Sequence, residues 1–91
     1  MQSDPDKLLK KHEELTHSEG VTVRSHVQRP TDDGLVNTLM LDDYNVPFKY
    51  LRQRKYKNLT GQQVNLTYYP TTESVAGFEI EVMKVVRIKV N

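Results

Sequence analysis

Apolar residues change period once along this chain, and the change divides it. Over residues 4–17 they recur at helical spacing: Leu8, Leu9, His12 and Leu15 fall on one narrow stripe. Ser3 or Asp4 can cap such a helix. Pro5 suits an early helical position, Asp6 complements the positive end of the dipole, and Gly20 can close the segment. The spacing therefore predicts an N-terminal helix or extension over residues 1–19. A lone helix of about 13 residues is marginal in water, so packing has to hold it.

From Gly20 onward the period is two, and residues 20–91 are expected to form one β domain. Val21, Val23, Ser25 and Val27 alternate with Thr22, Arg24, His26 and Gln28, which predicts a first strand with His26 on its solvent side. The turn residues "RPTDDG" (29–34) lead to a second strand with Leu35, Leu39 and Leu41 on one face, so these two strands form a hairpin. "DDYN" (42–45) is a further turn. "VPFKYLR" (46–52) is a third strand, with Pro47 near its start and with Phe48 and Tyr50 pointing into the core. In the fourth, Val64, Leu66 and Tyr68 alternate with polar residues until Pro70, where the strand is expected to end. "TTESVAG" (71–77) then reads as a loop. In the fifth, Phe78, Ile80, Val82, Val86, Ile88 and Val90 share one parity, interrupted by Lys84, and a bulge near Met83–Lys84 is expected to bend it.

The fold class predicted is mainly β: a small five-stranded barrel or strongly bent antiparallel sheet with one N-terminal helix. Residues 21–90 resemble the small-barrel group of OB-like and SH3-like folds. The resemblance rests on the five strands, the irregular segment between the third and fourth, and "LTGQQVNL" (59–66) leading into a strand. It implies architecture and transfers no functional residue.

Composition adds boundaries. A chain of 91 residues makes one domain with a small core. Cysteine is absent, so disulfides, thiolate metal sites and thiol nucleophiles are excluded. That fits a reducing compartment, and a cytoplasmic location is the expectation. No apolar run approaches the ~20 residues of a membrane-spanning helix.

The three histidines do not assemble a catalytic set, and no serine stands in a nucleophile motif. The expectation is a non-enzyme without cofactor or metal. Asp32/Asp33 and Asp42/Asp43 flank one strand and lie over ~20 Å apart, so they read as turn formers and not as one cation site. "NLT" at 58–60 and 65–67 reads as polar positions around the fourth strand.

Charge supplies the one candidate surface. The net charge is +1, but between Tyr44 and Thr72 stand Lys49, Arg52, Arg54, Lys55 and Lys57 with no acid. With Phe48 and Tyr50 turned inward, the exposed set is Arg52, Arg54, Lys55, Tyr56 and Lys57, joined by Tyr69 from its outward parity. Cations beside aromatic faces are what single-stranded nucleic acid requires. The reading is a non-catalytic binding module for single-stranded nucleic acid. The alternative is a protein-interaction or assembly domain that uses a strand edge or the N-terminal helix.

Overall fold

A computed structural model describes residues 15–91 as a mainly β molecule with no helix among them. Five strands, β1 (Thr16–Thr31), β2 (Gly34–Leu41), β3 (Phe48–Arg52), β4 (Gln63–Val75) and β5 (Phe78–Val90), form one sheet. Its hydrogen-bonded neighbours run β1-β2-β3-β5-β4 and return to β1, a ring. All pairings are antiparallel except β3 with β5. The helix expected over 4–17 lies outside the described residues for most of its length, but its last two positions, Thr16 and His17, belong to β1 and pair with Tyr68 and Thr67.

One strand can serve two neighbours because β1 bends twice. Its register against β4 shifts between Ser18 and Val21, where Gly20 has φ 67°. Its register against β2 shifts between Val23 and Ser25. Each shift inserts a residue and increases local twist, which curls the sheet toward closure. The second also inverts parity. Val23 is buried, as alternation predicts, but beyond Arg24 it is His26 that turns inward while Val27 is half exposed. The solvent-facing His26 expected from the uninterrupted pattern is thus corrected: it is 6% exposed.

The core forms inside the ring. Phe48 is fully buried, with Tyr44 and Tyr68 edge-on to it at 5.2 and 4.8 Å between centroids, the geometry that aromatic quadrupoles favour. Leu39, Leu41, Val64 and Leu66 surround them, and Tyr50 lies inward as expected. Leu59 comes from the segment joining β3 to β4 and is buried in the same cluster. "LTG" is therefore more than a pattern break: Leu59 plugs the core, and Gly61 turns at φ 88° to donate its N–H to Val23 O at 2.8 Å.

Pro70 does not end β4. The strand continues to Val75 and turns through Ala76 and Gly77, both with positive φ, into Phe78. This two-residue turn has the twist of a tight hairpin, so residues 71–75 are strand and not loop. Pro70 is tolerated because its partner Met83 directs its own N–H away from β4, to Pro47 O at 2.9 Å. Pro70 and Met83 form a pair without mutual hydrogen bonds, so the missing N–H breaks no rung. The result is an arm, residues 70–83, projecting beyond the ring.

The bulge expected in β5 exists and falls at Val86. Tyr68 pairs with Val85, but Thr67 pairs with Arg87. The six apolar residues of β5 consequently divide: Ile88 and Val90 lie toward the core, Val86 is the exposed bulge residue, and Phe78, Ile80 and Val82 share one face of the arm, with Val82 buried at its base.

Gly34, which closes the turn at Asp32–Asp33, has φ 133°, and a Cβ there would sit 2.8 Å from Arg52 O. Gly34→Ala should destabilise the fold by about 2–3 kcal/mol, from backbone strain plus displacement of the end of β3. A urea midpoint within error of wild type would contradict this.

Candidate nucleic-acid interface

The parallel seam between β3 and β5 is short. Only Phe48–Met83 and Lys49–Lys84 are paired. Beyond them the Val86 bulge carries β5 toward β4, and the two strands part. The gap is a cleft of about 340 Å³ lined by Tyr50, Leu51, Arg52, Lys84, Val86 and Arg87 among others. A second opening of about 230 Å³ shares Tyr50, Arg52 and Ile88 with it and continues to Tyr56 and Lys89. No carboxylate lines either one.

The bulge also decides where the β5 cations point. In an unbroken strand Lys84 would face opposite to Arg87 and Lys89. With one residue inserted, all three share the outward face, opposite Tyr69, Thr67 and Asn65 of β4 in turn. They make a basic stripe roughly 15 Å long at strand rise. Arg52 stands across the cleft, its guanidinium carbon 5.5 Å from the centre of the Tyr50 ring, within cation–π range. Burial pushes the Tyr50 phenol above its ordinary value, and the Arg52 charge partly offsets this. A raised phenol favours the neutral form in the folded state. Its contribution is therefore fully present below about pH 10, the unfolded value, and is lost as pH rises through the folded one. Denaturant midpoints of wild type should fall above pH 10, and Tyr50→Phe should fall less steeply over the same range.

The segment 53–62 is tied down. The Gln28 side chain clamps the backbone of Tyr56, donating from Nε2 to Tyr56 O at 2.6 Å and accepting Tyr56 N–H at Oε1 at 3.3 Å. Gln53 donates to Asp33 O. Asn58 accepts Thr60 N–H and donates to His26 O. His26 accepts Leu59 N–H at Nδ1 (2.9 Å) and meets Asn37 Oδ1 with Nε2 at 2.8 Å. A backbone N–H can only donate, so Nδ1 is the acceptor nitrogen, and Nε2 carries the hydrogen given to Asn37. Asn37 passes its own N–H to Leu35 O. A buried polar relay thus joins β1, β2 and the connector, and it fixes the backbone on which Tyr56 stands.

The predicted site residues separate accordingly. Arg52 and Tyr56 (50% exposed) line the openings. Tyr69 is half-buried on the outward face beside Lys84. Arg54, Lys55 and Lys57 are exposed on the connector and line neither opening. Lys84, Arg87 and Lys89 are the additions. Their shared face depends on the Val86 bulge, and their nearness to Arg52 on a parallel pairing that no local pattern announces. Asp32/Asp33 and Asp42/Asp43 occupy turns, and no group of three metal-ligating side chains converges among the described residues. No helix among them is long and apolar enough to cross a membrane.

Comparison with protein-family models, with curated proteins and with solved structures yields no match to this chain.

Proposed function

We propose that the chain is a non-catalytic small-barrel module, OB-like in its strand order, that binds single-stranded nucleic acid at the β3–β5 cleft. The order β1-β2-β3-β5-β4 with a parallel β3–β5 seam suits a closed five-stranded barrel of the kind that binds oligonucleotides. The observation that carries the reading is the alignment by the Val86 bulge of Lys84, Arg87 and Lys89 beside Arg52, with Tyr56 and Tyr69 at the margins and no acid among the residues lining the cleft.

A phosphate path along the stripe takes its affinity from the cations, while Tyr56 and Tyr69 offer ring faces to bases. Neither group reads base edges in a fixed pattern, so the binding is tolerant of sequence. The connector cations Arg54, Lys55 and Lys57 add to the local potential without touching the bound strand. The test is the affinity of a fluorescent oligonucleotide for wild type and for a variant with Arg52 and Arg87 removed, measured across salt concentration. Binding that is undetectable at low salt, or indifferent to the two arginines, sinks the proposal.

A further inference from the structure

The arm formed by residues 70–83 has two unlike faces. Val75 stands opposite Phe78, Glu73 opposite Ile80, and Thr71 opposite Val82 on one side. Ser74, Glu79, Thr72 and Glu81 occupy the other. Val82 is buried at the base, where Lys49 holds Glu73 at 2.9 Å, but toward the tip Val75, Ile80 and Phe78 are 48%, 42% and 72% exposed. A two-stranded arm gains little from presenting such a face to water. Residues 71–82 contain three acids and no base, which disfavours a polyanion as the occupant of this face.

Both the arm and the cleft have an open strand edge. Met83 directs its backbone groups toward β3, so by alternation Glu81 and Glu79 offer theirs on the same edge of the arm, beyond the last β3 pairing. Pro70 blunts the opposite edge, having no N–H to offer. In the cleft, Pro47 O faces β5, so Leu51 turns its N–H and C=O the same way, past the point where β5 leaves. A strand laid there would put one side chain in two toward Tyr50 and Ile88 and the others among Lys84, Arg87 and Lys89.

We infer that the cleft of one copy takes the arm of a second copy by strand addition. Phe78 and Ile80 then lie inward, and Glu79 and Glu81 lie among the outward cations. Alternation of the arm matches alternation of the cleft, apolar to apolar and acid to base. Because each copy carries both parts, reciprocal exchange closes as a two-fold dimer. The inference rests on the geometry of the cleft and not on its taking nucleic acid.

The test is sedimentation of the full chain without any oligonucleotide, at up to about 100 μM and at about 50 mM salt. Wild type should show a monomer–dimer equilibrium weakened by added salt. Phe78→Ser with Ile80→Ser should lower the association constant at least about tenfold, which corresponds to about 1.4 kcal/mol. Glu79→Lys with Glu81→Lys should abolish self-association, as should Lys84→Glu with Arg87→Glu. Mixing these two charge-reversed proteins should restore a heterodimer. A strictly monomeric wild type overturns the inference, as does a mixture that stays monomeric. A dimer indifferent to both charge reversals would place the contact elsewhere and overturn it too. All six substituted positions are exposed, so circular dichroism should report a folded chain in every case.

Discussion

His26→Ala is expected to lower the unfolding free energy by about 3 kcal/mol, among the largest single effects in the molecule. The substitution leaves Leu59 N–H and Asn37 Oδ1 without their present partners in a buried site, at about 1–3 kcal/mol for each such group. It also opens a cavity beside the Leu59 plug. Replacing both His26 and Asn37 by leucine should cost less than the sum of the single changes, because Asn37 Oδ1 is removed together with its donor, leaving Leu59 N–H unmet and Leu35 O without the Asn37 donor. Chemical denaturation of the two single variants and the double measures the coupling. The same relay makes a spectroscopic prediction: nitrogen chemical shifts near neutral pH should show Nδ1 of His26 without hydrogen and Nε2 with it.

The second large effect is on binding. Four cations, Arg52, Lys84, Arg87 and Lys89, line or flank the cleft. For single strands the logarithm of affinity falls with that of salt at about −0.7 per neutralised phosphate, so four contacts give a slope near −3. Removing Arg52 and Arg87 together should bring it to about −1.4. The difference corresponds to an affinity loss of roughly 50-fold at about 50 mM salt. Tyr56→Ala should act otherwise, weakening binding by about 1–3 kcal/mol for a lost stack while leaving the slope unchanged. Arg54→Ala with Lys55→Ala should change affinity far less than the Arg52/Arg87 pair, although each pair removes two positive charges. That contrast separates a cleft from a diffuse basic surface.

Much of the fold is written in alternation, and its exceptions are written in bulges. Val64, Leu66 and Tyr68 lie inward as their period requires, as do Leu39, Leu41, Phe48 and Tyr50. Where one residue is inserted, parity reverses and a local pattern misleads. At Arg24 the reversal exchanges Val27 for His26 in the interior, and at Val86 it separates Ile88 and Val90 from Phe78, Ile80 and Val82. Pro70 misled for a different reason. A proline is costly only where its N–H belongs to a rung, and that depends on which neighbour its partner bonds.

The candidate site is legible in the sequence as composition and not as geometry. Arg52, Tyr56 and Tyr69 could be chosen from parity and charge. Lys84, Arg87 and Lys89 could not be joined to them, because the β3–β5 seam is a pairing between residues about 35 apart (Phe48 with Met83) and nothing between them encodes it. Arg54, Lys55 and Lys57 draw attention in the sequence because they stand within four residues of one another. In the fold they alternate with Gln53, the Tyr56 backbone and Asn58, which are the positions that hold the segment in place.

The central claim is that the bulge-aligned stripe and its cleft bind a single strand. It is tested most directly by titrating a labelled oligonucleotide with wild type and with the Arg52→Ala, Arg87→Ala variant from about 50 to 300 mM salt. The expected result is a wild-type slope near −3, a variant slope near −1.4, and curves that converge as salt rises. Equal slopes for the two proteins, or no binding at about 50 mM, would contradict it.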